Sequence, residues 1–203
     1  MLKRLKIDEA VRCMADNGLV VFPTETSYAL GCRAFSKEAV TELVSAKGRP
    51  DGKPLPVILP GADYLAQFAI ESPLLQIGRR FWPGPLTVVL PCFPNLASQV
   101  SGSTNMVGVR VSSHPVAREL AQRIGEPIVA TSANVSGSPA AVSPSDCDQA
   151  GLIGVSGLVD SGLLTGGAST VIGLSSGGFE VFREGPISRE EREQAWSELR
   201  TRP

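Results

Sequence analysis

The sequence predicts an α/β fold built on a mixed β-sheet, and three observations lead to that prediction. Short apolar or alternating runs, which are typical of strands, are interleaved with about six amphipathic patterns that are typical of helices. Some neighbouring strand-like runs, such as 169–173 and 179–182, have no crossover helix between them, so the sheet cannot be wholly parallel. The chain has 203 residues, of which 42% are hydrophobic, enough to bury one sizeable core.

The composition excludes several classes of protein. A net charge of −1 and a charged fraction of 19% exclude a disordered chain and a wholly basic nucleic-acid binder, but not a local basic patch. No apolar run approaches the roughly 20 residues of a membrane span, and no signal peptide is visible. We therefore expect a cytoplasmic protein with no membrane partner.

The cysteines and the single histidine do not indicate a catalytic or metal centre. The four cysteines are widely spaced, contain no Cys-x-x-Cys pair, and are read as reduced thiols of a cytosolic protein. His114 precedes Pro115 at an expected helix start, which argues against a Ser-His-Asp arrangement.

The helices and strands are predicted from caps and periodicity. Helix starts are expected at Asp8, Ser36, Ser72, His114, Ser143 and Ser188, the last with a capping box. Strands are expected over 19–22, 55–59, 86–90, 107–111, 127–130, 157–160, 169–173 and 179–182. Pro23 is expected to end the first strand. These elements predict a single domain over 1–203.

The loop over 47–54 is the first candidate site. Lys47, Arg49 and Lys53 place three cations within seven residues, against the single acid Asp51, between glycines and prolines. An Arg fork and a mobile Lys suit a polyphosphate. A solvated surface loop is the alternative. No P-loop and no G-x-G-x-x-G motif is present, so ordinary nucleotide fingerprints are excluded.

Three other segments carry polar groups near expected strand ends. The segment 131–137 could hold a phosphate or a ribose, or could form a turn that satisfies only its own backbone. The segment 23–28 suits a small polar ligand such as an amino acid, or is a loop before a packed Tyr28. The segment 166–170 could be a lid, an anion nest or a hairpin connection. Arg110 ends an apolar strand, so it needs a substrate carboxylate or Glu25 as a partner.

Taken in order, these segments resemble the YrdC-like family of threonylcarbamoyl-AMP synthases. The motifs that carry the resemblance are Pro23-Thr24-Glu25-Thr26, Lys47-Gly48-Arg49-Pro50, Phe81-Trp82-Pro83-Gly84-Pro85, Val109-Arg110-Val111, Ser132-Ala133-Asn134-Val135-Ser136-Gly137 and Arg183-Glu184-Gly185. The resemblance covers about residues 7–187, the expected core, and leaves 188–203 as a helical tail.

The resemblance implies both a fold and a reaction. The fold would be a single YrdC-like domain, a twisted mixed sheet with helices around a large, positively charged concave cavity. The reaction would be nucleotidyl transfer, in which L-threonine, bicarbonate and ATP give threonylcarbamoyl-AMP and pyrophosphate. Mg²⁺ would arrive with ATP, without dedicated protein ligands. A downstream transferase complex would pass the threonylcarbamoyl group to a tRNA adenosine, and binding of tRNA or double-stranded RNA is a further expectation.

The resemblance also implies the site residues, position by position. Lys47 and Arg49 would be catalytic and would hold the ATP phosphates. The ATP-binding set implied by the family is Lys47, Arg49, Ser132, Asn134, Ala140 and Arg183. The threonine-binding set is Thr24, Tyr28, Arg110 and Ser169, with Arg110 on the carboxylate.

The sequence departs from the family pattern at three of its motif positions. Ser27 and Ala29 stand where the family commonly has Val and Gly, and Lys53 stands where it commonly has Asn or His. The segment 27–32 and Pro50-Asp51-Gly52 are similar to the YciO branch, so an RNA- or nucleotide-binding protein of the same fold is the alternative function. That branch tends to lose the Lys-x-Arg and Ser-x-Asn pairs, and this chain keeps both, which favours the synthase. A carbamoyl phosphate enzyme is a third alternative, although such enzymes sit within much longer chains.

Overall fold

The computed structural model describes residues 1–50, 52–68, 70, 72–176 and 178–200, and has a mixed α/β architecture. The α-helices are α1 (Ile7–Ala15), α2 (Lys37–Ala46), α3 (Pro73–Phe81), α4 (Ser98–Ser101), α5 (Pro115–Ile124), α6 (Pro144–Gln149) and α7 (Arg189–Arg200), with a 3-10 helix over Tyr64–Phe68. The strands are β1 (Leu19–Pro23), β2 (Tyr28–Gly31), β3 (Val57–Ile58), β4 (Leu86–Pro91), β5 (Met106–Arg110), β6 (Ile128–Val129), β7 (Thr131–Ser132), β8 (Val155–Leu158), β9 (Thr170–Ser175) and β10 (Gly178–Arg183).

The strands form two mixed sheets, where the sequence predicted one. The four-stranded sheet has the order β7-β2-β1-β8, and the six-stranded sheet has the order β10-β9-β4-β5-β3-β6. The mixture of parallel and antiparallel pairs is confirmed. Two sheets arise because one stretch of chain changes partner: Val129 pairs with Val57 of the larger sheet, and Thr131 pairs with Leu30 of the smaller one.

Strand β1 is buried on both faces and divides two hydrophobic clusters. Val20 and Phe22 lie in the smaller cluster, with residues of α1 and α5. Leu19 and Val21 lie in the larger cluster, with α2, α3 and the six-stranded sheet. The continuous apolar run of β1 follows from this double burial.

Most of the predicted helix starts are confirmed, and one is wrong. Ser36 accepts a hydrogen bond from the Ala39 N–H at 3.2 Å, and His114 Nδ1 accepts one from Val116. Asp8 is not the cap of α1, which begins at Ile7 after Lys6. The Lys6 N–H donates to Glu9 instead, at 2.8 Å.

Several predicted strands change their limits. The run 55–59 narrows to β3, because Pro56 has no N–H to donate to a neighbouring strand. Pro23 ends the first strand as expected: it is the last residue of β1, where it pairs with Tyr28. Strand β2 was not predicted, because its residues have no alternating polar pattern when both faces are buried.

The C-terminal helix packs against the rest of the chain. Phe179 of β10 meets Trp196 of α7 edge to face, with ring centroids 5.8 Å apart. The end of the predicted tail, 201–203, and Asp51 of the cationic loop lie outside the described residues. Over the described ranges, no helix combines the length and the apolar character that a bilayer crossing needs.

Gly31 tests how closely the two sheets approach. A Cβ at this position would overlap the Val129 carbonyl oxygen and the ring of Phe22. We expect Gly31→Ala to lower the free energy of unfolding by about 1–3 kcal/mol, because overpacking forces backbone shifts. Urea unfolding measures the change. Gly61→Ala is the matched control, since a methyl group at Gly61 would meet nothing within 4 Å, and an equal effect of both substitutions would contradict the close approach.

Candidate functional site

A cavity of about 370 Å³ lies where the two sheets meet. Its wall comes from the β1–β2 loop, the start of β4, the end of β5, the crossing stretch after β6, and the loop before β9. Strand ends and loops of different elements therefore converge on one space, as is typical of ligand sites in α/β folds.

Three guanidinium groups stand on the cavity wall. They belong to Arg49, Arg110 and Arg183, and burial lowers the pKa of each of them. Among the described residues that line the cavity, none carries a carboxylate. The remaining polar lining consists of hydroxyl and amide groups, so the wall suits an anion with several oxygen atoms.

Arg110 is held by a carboxylate behind the wall. Its Nη1 donates to Glu25 Oε1 at 2.8 Å, and both side chains are about nine-tenths buried. The second oxygen of Glu25 accepts a hydrogen bond from the Ser112 hydroxyl. Of the two partners left open by the sequence, the structure therefore provides Glu25. The charge of Glu25 opposes the lowering of the Arg110 pKa by burial, so the guanidinium stays charged at the cavity wall.

Ser169 connects two other wall residues. Its hydroxyl lies 2.8 Å from that of Thr87, and Arg183 donates to the Ser169 Oγ and carbonyl oxygen, each at 2.9 Å. Thr87 was not predicted from the sequence as a site residue. A buried threonine within the apolar strand 86–90 was the available indication.

The β1–β2 loop presents hydroxyl groups to the cavity. Thr24 is buried, and its Oγ1 accepts from the N–H groups of Thr26 and Ser27 at 3.3 Å. The Thr24 hydroxyl thus closes a turn of its own loop and also lines the cavity. Thr26 and Ser27 line the cavity as well, so the three hydroxyl groups of the candidate segment 23–28 lie on one wall.

Tyr28 lies away from the cavity, and its neighbour Ala29 lies on the wall. The Tyr28 hydroxyl donates to the Gly162 carbonyl oxygen at 2.8 Å and accepts from the Ser161 N–H at 3.0 Å. Alternation along β2 explains the difference, because successive side chains point to opposite faces. The structure therefore does not bring Tyr28 together with the other predicted threonine-binding residues.

Lys47 is buried and bound to the segment that follows β7. Its ammonium group donates to the Ser132 carbonyl oxygen, to the Asn134 carbonyl oxygen at 2.7 Å and to Asn134 Oδ1 at 3.3 Å. All three of its hydrogens are thereby used. Burial and the charge of Arg49 lower the pKa of Lys47 to about 8, while three oxygen acceptors favour the protonated form.

Arg49 and Lys53 differ from Lys47 in being more open to solvent. Arg49 donates to the Pro54 carbonyl oxygen at 2.9 Å and lines the cavity. Lys53 is exposed and does not line the cavity. The cationic loop therefore places its three charges at three depths, instead of forming one uniformly solvated surface.

The other predicted nucleotide-binding residues line the cavity. They are Ser132, Asn134, Ala140 and Arg183. The Ser132 hydroxyl donates to Asn134 Oδ1, and the Asn134 amide donates to the Ser138 carbonyl oxygen. These bonds form a local turn, and the same residues line the cavity. The segment can therefore be both a turn and part of a ligand site, the two alternatives that the sequence left open.

The chain is similar to proteins of one family throughout most of its length. The family model for Sua5, YciO and YrdC, described as Telomere recombination, matches residues 12–185. A threonylcarbamoyl-AMP synthase of Pyrococcus abyssi is 35% identical over 205 residues, which cover 100% of this chain and 60% of that protein. One of Bacillus subtilis is 36% identical over 195 residues, with coverages of 93% and 56%. The chain thus spans less than two thirds of the length of these two relatives.

Solved structures agree with that similarity. Pyrococcus abyssi Sua5 complexed with L-threonine has a TM-score of 0.87 and 34% identity, covering 95% of this chain and 58% of the other. Escherichia coli YciO has a TM-score of 0.75 and 27% identity, covering 88% of each chain. The mixed α/β fold is therefore shared with both.

Lys47→Met tests whether the Lys47 ammonium group, which bridges Ser132 and Asn134, holds this segment in place. The substitution leaves one buried and one partly buried carbonyl oxygen without their donor, so we expect the free energy of unfolding to fall by about 2 kcal/mol. Amide hydrogens over 132–136 should exchange faster with solvent. Lys37→Met, an exposed change at the other end of the same helix, should alter stability by less than about 0.5 kcal/mol. Unchanged exchange in the Lys47 variant would contradict the role of this bridge.

Proposed function

The chain belongs to the Sua5, YciO and YrdC family, and we propose that it makes threonylcarbamoyl-AMP and pyrophosphate from L-threonine, bicarbonate and ATP. The observation that carries the proposal is the wall with Arg49, Arg110 and Arg183 among hydroxyl and amide groups. Relatives named for this activity, and the threonine complex of Pyrococcus abyssi Sua5, support it.

The amino acid would bind at the Arg110 end of the cavity. Glu25 engages one nitrogen of the Arg110 guanidinium, which leaves the rest of its planar fork for a carboxylate. The hydroxyl groups of Thr24, Thr87 and Ser169 are the candidates for the polar side chain and the amine of threonine. Tyr28 would act indirectly, by holding the loop that contains Gly162.

The nucleotide would bind between Arg49 and Arg183. Ser132 and Asn134 offer hydroxyl and amide groups for phosphate or ribose, and Ala140 leaves space beside them. Mg²⁺ would enter on the triphosphate, whose oxygen atoms are the ligands it prefers. Since no described residue of the cavity wall carries a carboxylate, the phosphates themselves would hold the ion, and Mg²⁺ would neutralise charge on the leaving phosphates.

The reaction needs positioning more than it needs a protein acid or base. The threonine amine adds to carbon dioxide derived from bicarbonate, losing a proton as the carbamate forms. A carbamate oxygen then bonds to the α-phosphorus of ATP while the bond to the β-phosphate oxygen breaks, and pyrophosphate leaves. The cations at the site stabilise the developing charge, and the wall keeps water from a labile carbamate.

The product would be consumed by a group-transfer reaction. Threonylcarbamoyl-AMP is a mixed anhydride, so a downstream complex could pass its acyl group to the amine of a tRNA adenosine. We propose this complex as the downstream partner and tRNA as the final acceptor of the threonylcarbamoyl group. Direct binding of RNA to this chain is a separate proposal.

A YciO-like role is the second candidate, and one observation favours it. Ser27 and Ala29, which depart from the family pattern, both lie on the cavity wall. An RNA-binding protein of this fold would use the same cations, and its affinity would fall steeply with salt.

Pyrophosphate release from ATP and Mg²⁺ tests the proposed reaction. We expect release to require both L-threonine and bicarbonate.

Arg49→Ala should lower kcat/KM about 10- to 100-fold, because a charge-assisted contact is lost. Arg110→Lys keeps the charge beside Glu25 but loses the fork, and should raise the KM for threonine about tenfold with a smaller change for ATP.

Arg189→Ala, at an exposed ion pair of α7, is the matched control and should behave as the wild type. ATP turnover that ignores threonine and bicarbonate would refute the synthase. No turnover, with salt-sensitive RNA binding, would favour the YciO-like role, and Ser27, Ala29 and Lys53 would be the positions to revert.

A further inference from the structure

The connection between β8 and β9, here called the β8–β9 loop, covers residues 159–169. Its last three residues, Gly167, Ala168 and Ser169, line the cavity. Near its start, Ser161 lies beside His114, the only histidine of the chain. Because the loop ends on the cavity wall, the contacts that hold its first half also help to place that wall.

Two ring side chains meet at Ser161. The Tyr28 hydroxyl accepts from the Ser161 N–H at 3.0 Å and donates to the Gly162 carbonyl oxygen at 2.8 Å. His114 Nε2 lies 3.4 Å from the Ser161 hydroxyl oxygen. The next residue of the loop, Leu163, is 80% exposed, so it adds little packing. The first half of the β8–β9 loop is therefore held mainly by polar contacts.

The cap of α5 determines which nitrogen of His114 can donate. His114 Nδ1 accepts a hydrogen bond from the Val116 N–H at 3.3 Å. An accepting ring nitrogen carries no hydrogen, so the neutral ring has its hydrogen on Nε2, where it can be donated to the Ser161 hydroxyl. A second hydrogen, on Nδ1, would break the cap, and the added positive charge would lie at the N-terminus of α5, where the helix dipole disfavours it. The contacts of His114 therefore require the neutral ring.

A chain of hydrogen bonds connects His114 with the cavity. The Ser112 hydroxyl accepts from the His114 N–H at 3.2 Å and donates to Glu25. The other carboxylate oxygen of Glu25 accepts from Arg110 at 2.8 Å. The backbone carbonyl oxygen of Glu25 accepts from the Thr165 hydroxyl of the β8–β9 loop at 3.3 Å. The loop and the guanidinium proposed for the carboxylate of the ligand are thus joined through one residue.

Two effects of opposite sign act on the ionisation of His114. Burial lowers the pKa of His114, and the negative charge of Glu25 raises it. Burial is the larger effect, so the pKa of His114 lies below the ordinary histidine value of about 6.5. Glu25 is already paired with Arg110, which limits the support that it can give to a charged ring. His114 is therefore neutral at neutral pH and gains its proton as the pH falls into the acid range.

Other ionisable groups lie close to the two rings. Burial raises the pKa of Tyr28, so its hydroxyl keeps its proton at acid and neutral pH. Asp160 of the loop accepts from a backbone N–H of its own loop at 2.9 Å and forms an ion pair with Arg4 at 3.5 Å. In α5, Arg118 and Glu119 follow the histidine by about one turn. Within this set, histidine is the residue type whose ordinary pKa lies between acid and neutral pH.

We propose that His114 is a positioning residue that, in its neutral form, holds the β8–β9 loop against the cavity through Ser161, and that its protonation releases the loop and weakens binding of the amino acid. The proposal rests on the proposed function for the identity of the ligand, whereas the hold on the loop does not depend on that identity. His114 does not line the cavity, so it acts here neither as a catalytic base nor as a direct ligand of the substrate.

Calorimetric titration with L-threonine at two pH values tests the proposal. Between about pH 7.5 and about pH 5.5, the affinity of the wild-type protein should fall about three- to tenfold, because one hydrogen bond that holds the loop is lost. Free threonine is a zwitterion throughout this range, so the ligand contributes no titration of its own. His114→Asn keeps a side-chain oxygen that can cap α5 but cannot titrate. This variant should bind threonine weakly at both pH values, with no further loss in acid.

Two serine variants complete the comparison. Ser161→Ala removes the partner of His114 Nε2 and leaves the cap of α5 intact, so it should show the same weak, pH-independent binding as His114→Asn. Ser113→Ala, at the exposed residue next to His114, is the matched control. It should keep both the affinity and the pH dependence of the wild type.

Two further measurements do not depend on threonine. Because the chain has a single histidine, nuclear magnetic resonance of the imidazole nitrogens reports on His114 alone. Nδ1 should carry no hydrogen at neutral pH, and the ring should titrate below the pKa of an ordinary histidine. Amide hydrogens of the β8–β9 loop should exchange faster in His114→Asn and Ser161→Ala than in Ser113→Ala at the same pH.

The outcomes separate this proposal from the proposed function. Threonine binding that falls with pH in His114→Asn as it does in the wild type would overturn the role of His114. A hydrogen on Nδ1 at neutral pH, or unchanged loop exchange in both variants, would overturn it as well, even in an active synthase. A wild-type protein that binds no threonine would refute the proposed function, and faster loop exchange in the two variants would still support the hold of His114 on the loop.

Discussion

The cavity depends on one short stretch of chain that belongs to both sheets. Val129 pairs with Val57 in the larger sheet, and two residues later Thr131 pairs with Leu30 in the smaller sheet. The Val129 N–H also donates to the Cys32 carbonyl oxygen at 2.8 Å, which brings the sheets together at this point. Because the stretch continues directly into Ser132, the same hydrogen bonds that join the sheets also place the part of the cavity wall proposed for the nucleotide.

Two kinds of buried cation serve this site, and they differ in how their charge is compensated. Arg110 is paired with the carboxylate of Glu25, which keeps the buried guanidinium charged. The same carboxylate weakens the positive electrostatic potential that Arg110 produces in the cavity. Lys47 has only neutral oxygen acceptors. Its field is therefore not cancelled by a neighbouring charge, and a polyanion can take the place of a counter-ion. The difference suits a small carboxylate at one end of the cavity and a more highly charged triphosphate at the other.

Local patterns in the sequence predicted much of the fold. The caps at Ser36 and Ser188 and the strand over 86–90 each depend on a few neighbouring residues, so they could be inferred without tertiary information. Strand β2 and the division into two sheets could not, because double burial removes the alternating pattern and pairing partners are distant in sequence. For the same reason, the motif that contains Tyr28 could not show which face of β2 the Tyr28 side chain occupies. Of the six predicted nucleotide residues, all but Lys47 line the cavity; Lys47 lies behind them, bound to Ser132 and Asn134.

The geometry also explains why an ordinary phosphate loop is unnecessary here. In a phosphate loop the backbone N–H groups of a helix start supply the donors. In this chain Lys47 lies at the other end of a helix, the C-terminus of α2, where the helix dipole favours a cation. The buried ammonium donates to the carbonyl oxygens of Ser132 and Asn134, whose hydroxyl and amide groups line the cavity. In the proposed function, side chains of this segment would take the part that backbone amides play in a phosphate loop, in a sequence that has neither glycine-rich fingerprint.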